Sequence, residues 1–214
     1  MVLLCLNTKH QNKAHQKIPH MKLLFATSNQ NKADEIQKLL PNNFQIITLN
    51  DINLKEEIPE TSTTIEGNAL QKTEFIIKYF QIDCFSDDTG LEIESLNGEP
   101  GVYSARYAGE DKNSENNIDL VLKKMHGVTN RKARFKTVIS LSIKGKMHLF
   151  EGIVEGIIRI SKKGNSGFGY DSIFEPENCG RTFAEMTMEE KNELSHRGRA
   201  FEKMISFLNL NIID

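Results

Sequence analysis

Ser86-Asp87-Asp88-Thr89-Gly90 sets two carboxylates side by side. Adjacent ionised carboxylates repel, so they are comfortable in water or beside a cation, and Mg2+ takes hard oxygen ligands of this kind. Asp and Gly are equally ordinary turn residues. A site of this type needs a carboxylate from elsewhere in the chain; Glu60, in the loop before a helix carrying Lys72, is one candidate, and a solvated loop is the favoured reading from the residues alone. Glu56, Glu57 and Glu66 are equally plausible on chemistry alone. Thr27-Ser28-Asn29-Gln30-Asn31-Lys32 lies where a strand should pass into a helix. Free N–H groups at a helix start suit phosphate, and Lys32 adds a full charge. Ser and Asn are also favoured as plain N-caps, and the Gly-x4-Gly-Lys pattern of a P-loop is missing. In Gly167-Phe168-Gly169-Tyr170-Asp171 two glycines flank a ring that could stack on a base or serve as core. Lys191, His196 and Arg197 add donors near the last helix, where a solvated basic helix end is the plain alternative.

The elements that must hold these groups follow from the hydrophobic pattern. Residues 22–27 read as a strand, and Ile36, Leu39 and Leu40 recur at helical spacing up to Pro41. Phe44 to Leu49 is a second strand, followed by a polar loop to Ser62. Thr63 with Glu66 has the spacing of a capping box for a helix through Phe80. A short strand ends at Cys84 to Phe85 and runs into the Asp pair, with another strand at Leu91 to Ser95. Asn97 to Gly109 reads as loop, and Asn113 to Met125 as helix. Ala133 to Ile143 alternates, turns at Lys144-Gly145-Lys146, and returns as Met147 to Ile160, a long hairpin. Thr187 with Glu190 marks another capping box, and a closing helix starts near Ser195. The class is α/β: a mixed twisted β-sheet with a long central hairpin, flanked by helices.

The whole-chain numbers bound the rest. The chain has 214 residues, 38% hydrophobic and 26% charged, with a formal net charge of −2. That length buries a real core, and the composition excludes a disordered or fibrous chain. Near-neutral charge, with Lys and Arg dispersed, gives no pull toward nucleic acid or an acidic membrane surface. No apolar run approaches the ~20 residues that span a bilayer. Cys5, Cys84 and Cys179 are odd in number, widely spaced and without a CxxC, which points to a reducing compartment, the cytoplasm, rather than to a disulfide or zinc framework. Residues 1–20 differ from the remainder and read as an N-terminal extension, with residues 21–214 a single domain starting at Met21. His10, His15 and His20 are spaced so that they do not share a helix face.

Taken in order, the segments FATSNQNK (25–32), ETSTT (60–64), NALQK (68–72), SDDTGL (86–91), GEPGVYSARYAGE (98–110), ARFKT (133–137), GFGYD (167–171) and EMTMEEKNELSHRG (185–198) resemble the inosine/xanthosine triphosphate pyrophosphatases. The resemblance runs from Met21 to about Leu208. It implies hydrolysis of ITP, dITP and XTP between the α- and β-phosphates, giving the monophosphate and pyrophosphate. It also implies a homodimer and an active site in the cleft between two lobes. On the matching positions, Asp88 would activate water and share Mg2+ with Glu60, while Asp87 supports it. Thr27, Ser28, Asn29, Gln30, Asn31 and Lys32 would cradle the triphosphate with Lys72, and Thr89 would touch substrate. Phe168 would stack on the purine beside Gly169, Tyr170 and Asp171, and Lys191, His196 and Arg197 would read the base. Departures from the family pattern fall at Ser62 (usually Gly), Gly67 (usually Glu), Thr89 (usually Ser) and Ser172 (usually Pro). The alternatives are a pyrophosphatase of similar fold acting on modified pyrimidine nucleotides and a catalytically silent nucleotide-binding module.

Overall fold

The computed structural model describes residues 21–27, 33, 36, 37, 40, 42–56 and 58–211. Six strands form one sheet: β1 (Met21–Phe25), β2 (Phe44–Thr48), β3 (Cys84–Ile93), β4 (Lys132–Ile143), β5 (Lys146–Ile158) and β6 (Phe174–Pro176). Their order is β2-β1-β3-β4-β5-β6, with β2 and β3 parallel to β1 and the rest antiparallel. This is the expected mixed α/β sheet. The β4–β5 hairpin is paired along its whole length, from Ile143↔Lys146 to Lys132↔Ile157, with Lys144 and Gly145 both at positive φ in a two-residue turn.

Alternation along the strands assigns each face a partner. Leu23, Phe25, Phe85, Ile139 and Leu141 face α4 (His196–Asn211), which buries Ala200, Phe201, Met204 and Leu208 against them. Leu24 and Cys84 face the other way, onto Ile76 of α1 (Ile65–Phe80). A further cluster joins Leu91, Ile93 and Phe135 to α2 (Ser114–Lys124) and to the segment carrying Phe174 and Phe183. Gly152 permits the close packing of α4: a Cβ there would lie 1.9 Å from the His196 carbonyl oxygen.

Three details depart from expectation. The Asp pair does not sit at a turn between two strands, because β3 is continuous over ten residues and pairs with β4 throughout. The helix after the polar loop is capped by Thr64 rather than Thr63, its side chain accepting from Gly67 N at 3.0 Å. Glu66 therefore sits one place too early for a capping box, and its carboxylate pairs with Lys136 on β4 instead. Within the stretch read as loop, Gly101–Arg106 is a 3₁₀ helix lying against β3. The capping box at Thr187 and Glu190 is present and starts α3 (Met188–Leu194). Among the described residues no helix is long and apolar enough to cross a membrane.

Candidate active site

β1 pairs with β3 only at Leu24↔Cys84 and Phe25↔Phe85, while β3 runs on past it. The space beyond the end of β1 is a cleft of about 680 Å3, lined by Thr27, Glu60, Lys72, Asp87, Arg106 and Lys112 among others. Ligand sites of open α/β sheets lie at the carboxyl ends of strands, and here the end belongs to β1.

In an extended strand, neighbouring side chains point to opposite faces. Asp88 therefore meets α1, where Lys72 Nζ donates to it at 3.4 Å, and Asp87 meets α4, where Arg197 Nε lies 3.3 Å away. The two carboxylates expected to repel one another are separated by the sheet, each with its own cation. Lys72 lies on the same helix face as Ala69, Thr73 and Ile76, so its buried ammonium is carried to the sheet by ordinary helix packing. It also holds Glu60 at 2.5 Å, which draws the loop carboxylate to the Asp88 side. Burial opposes the charge on Lys72, but Asp88, Glu60 and Asp87 outweigh it and raise its pKa.

Asp88 is pushed up to about 6, chiefly by burial, with Glu60 and Asp87 adding to it and Lys72 and the nearby Asn68 side chain opposing. Its Oδ2 is buried without a hydrogen-bond partner. A buried carboxylate oxygen left in that condition is costly unless something binds it. Among the described residues no three His, Cys, Asp or Glu side chains converge on a ready-made metal cage. Mg2+ sites, however, commonly take one or two carboxylates and complete their octahedron with water and substrate phosphate. Glu60 and the open oxygen of Asp88 fit a hard divalent cation on those terms.

A second cavity of about 230 Å3 has an aromatic lining that includes Phe135, Phe168 and Tyr170, with Thr89, Asp171, Lys191, His196 and Arg197. Phe168 is 62% exposed, and Lys191 Nζ stands 4.6 Å from its ring centroid. Asp171 is buried, pairs with Lys191 and accepts from Phe168 N at 2.8 Å, so it shapes the turn. Tyr170 donates to the Ser104 carbonyl at 2.8 Å, and burial raises its pKa. Thr89 shares a 2.7 Å hydroxyl bond with Thr137 and borders the cavity. His196 stacks on Phe135 at 4.6 Å, and its Nδ1 has no partner. Burial, with Arg197 and Lys191 nearby, lowers its pKa well below the usual value, so the ring is neutral at neutral pH. Neither His196 nor Lys191 belongs to a solvated helix end, since both are buried.

The structure thus brings together Glu60, Lys72, Asp87 and Thr27 around one cleft, with Asp88 joined to it through Lys72, and Phe168 through Arg197 around the other. Ser28 through Lys32 lie outside the described residues. Sequence reasoning missed Asn68, which is buried and accepts from Ser62 N at 2.9 Å, tying the Glu60 loop to α1. It missed Arg106 too, whose guanidinium borders the large cleft and reaches the Glu60 carbonyl at 3.4 Å. Both stand inside quoted motifs, but only contacts distinguish them from their neighbours.

Known proteins resemble this arrangement over most of its length. A dITP/XTP pyrophosphatase of Flavobacterium johnsoniae is 53% identical over 188 residues, covering 88% of this chain and 98% of that protein. A dITP/XTP pyrophosphatase of Porphyromonas gingivalis is 47% identical over 188 residues, 87% of this chain and 97% of that one. The Ham1 protein of Staphylococcus aureus superposes with a TM-score of 0.84 at 38% identity, over 88% of this chain and 98% of that chain. A HAM1 protein of Coxiella burnetii gives 0.85 at 34% identity, over 89% and 99%. The Ham1 family model matches residues 23–207, and with that match and these relatives the chain belongs to the Ham1 family.

Proposed function

We propose that the protein hydrolyses the non-standard purine nucleotides dITP, XTP and ITP between the α- and β-phosphates, releasing monophosphate and pyrophosphate with Mg2+ as cofactor. The observation that carries this reading is Asp88. It is a buried carboxylate with one oxygen against Lys72 and the other unpartnered, next to a cleft lined by Glu60, Lys72 and Asp87 that shares Lys112 with an aromatic cavity. Flavobacterium and Porphyromonas relatives named dITP/XTP pyrophosphatase support the substrate class.

Glu60 and Asp88 would hold Mg2+, which when bound offsets phosphate charge as water attacks. Lys72 steadies both carboxylates and supplies a further positive charge facing the phosphates. The ionised Asp88 carboxylate, with one oxygen toward the cation and Lys72 beside it, would orient the attacking water and take up its proton. Phe168 stacks on the purine, and Lys191 and Asp171 hold the loop that carries it. Hypoxanthine and xanthine carry an oxygen at position 6 where adenine carries an amino group. Arg197 and the neutral His196 ring offer N–H donors to that oxygen, and an opposed amino group costs ~1–3 kcal/mol. Ser28 through Lys32 are assigned to the triphosphate on the resemblance alone. The free thiols Cys84 and Cys179 accord with a cytoplasmic location, and a homodimer completes the reading.

The test is incubation of the purified protein with dITP, XTP, ITP, GTP and ATP, with and without Mg2+, followed by product identification. The expected result is metal-dependent dIMP and pyrophosphate, with GTP and ATP nearly untouched. Deoxyinosine diphosphate with orthophosphate would refute the cleavage site. Binding without turnover would refute catalysis.

A further inference from the structure

Among the described residues, Lys112 is shared by the two cavities: it borders the large cleft that holds Glu60 and Lys72, and the aromatic cavity that holds Phe168. Its backbone is left-handed, at φ 52, a region unfavourable for a lysine. Strain of this kind is kept where the surroundings impose it and collects at functional sites. The surroundings here are rigid. Asn117 accepts from Ala108 N at 2.6 Å and donates to the Ala105 carbonyl at 2.9 Å, and Asn113 caps α2 directly after the lysine. The lysine therefore stands between two anchored points, on a short loop running from the 3₁₀ helix into α2.

A nucleoside triphosphate joins its base to its β- and γ-phosphates through the ribose and the α-phosphate. With the base against Phe168 and the outer phosphates against Lys72, the α-phosphate must cross where the cavities meet. We infer that Lys112 binds the α-phosphate of the nucleotide, an assignment that rests on the function proposed above. An ammonium on a flexible stem suits a tetrahedral anion approached from the side. Cleavage between the α- and β-phosphates leaves that group on the monophosphate, so Lys112 grips substrate and nucleotide product alike and does not grip pyrophosphate.

The experiment is steady-state kinetics with product inhibition on the full chain with Mg2+. Lys112→Met should raise KM for dITP about tenfold and Ki for dIMP by the same factor, the effect of losing one charge-assisted hydrogen bond. Its Ki for pyrophosphate should stay within about twofold, and Lys112→Arg should recover most of the loss. Lys112→Gly relaxes the left-handed backbone, so it should melt no lower than the parent yet bind dIMP as weakly as Lys112→Met. Unchanged KM and dIMP inhibition in Lys112→Met would overturn the inference. Weakened pyrophosphate inhibition with dIMP unaffected would overturn it too, by moving the lysine to the outer phosphates. A parent protein inactive on dITP, XTP and ITP refutes the proposed function instead, and calorimetric binding of dIMP to parent and Lys112→Met then decides the lysine separately.

Discussion

Asp88 carries opposite consequences for activity and stability. Its pKa in the fold is about 6, against about 3.9 for a free side chain, so the folded chain holds this proton more tightly than the unfolded one. Stability from this group is therefore present below the unfolded value and declines as pH rises from about 4 to about 6. Activity has the opposite dependence, since the base must be ionised. With Mg2+ saturating, the acid limb of kcat/KM should lie below pH 6, because the cation favours the ionised carboxylate, and it should move up toward about 6 as Mg2+ is made limiting. Asp88→Asn should cut kcat by ~10³ or more while raising stability at pH 8 by about 2 kcal/mol, a gain that fades as pH drops toward 4. Denaturant melts of both proteins at pH 4 and pH 8 check the sign, and equal loss of stability at both would contradict it. Phe168→Ala should raise KM by about 5- to 150-fold with little change in melting temperature, because the ring is largely exposed and its proposed partner is the base.

The register between α1 and β3 joins Lys72 to Asp88, and it is set by buried hydroxyls. Ser86 Oγ donates to the Ala69 carbonyl at 2.6 Å, and the single proton of Thr73 Oγ1 is shared between Ser86 Oγ at 2.9 Å and the Ser140 carbonyl at 3.1 Å. These bonds sit one residue from Lys72 and two from Asp88, so helix and strand cannot slide without leaving buried polar atoms unpaired. At the N-terminus of α1, two departures from the family pattern are mechanically one. A Cβ on Gly67 would stand 1.9 Å from Ser62 Oγ and 2.9 Å from Thr64 Oγ1, so a serine at 62 crowds any larger residue at 67. Gly67→Ala alone should cost about 1–3 kcal/mol through the clash. With Ser62→Gly beside it, the same change should turn neutral or stabilising by up to ~1 kcal/mol, since alanine is the better helix former. A double-mutant cycle in urea measures that reversal; additivity would show that the two sites are independent.

For the molecule as a whole, β1 opens at Met21, its N–H donating to the Asn43 carbonyl at 2.7 Å, and the family match begins at residue 23. We propose that residues 21–214 form the single folding unit and that residues 1–20 are an extension outside it. A chain starting at Met21 should keep its melting temperature within about 2 °C and its kcat/KM unchanged; a larger fall would assign the extension a part in the fold. Chelation should separate function from fold in the same way. With four hydrophobic clusters among the described residues and the buried hydroxyl bonds needing no metal, EDTA should abolish turnover while leaving the unfolding transition nearly in place. Loss of the folded state on chelation would make the metal structural.

Much of this design was legible before folding. Alternation in residues 133–143 and the turn at Lys144-Gly145 yield the hairpin, and Thr187 with Glu190 yields the start of α3, because period and capping are local properties of the chain. The candidate site residues were legible as types in a recurrent order. Local rules failed where two segments compete for the same groups. Ser86 to Gly90 has the composition of a turn, yet β4 supplies a complete antiparallel ladder and draws it into a strand. Thr64 takes the cap in place of Thr63, and Glu66, one residue too early for a capping box, pairs with Lys136 of β4. The opposite facing of Asp87 and Asp88, the raised pKa of Asp88 and the meeting of two cavities at Lys112 all depend on groups distant in sequence. Charge, burial and cavity shape are sums over neighbours in space, and those neighbours exist only once α1 and α4 have packed on opposite faces of the sheet.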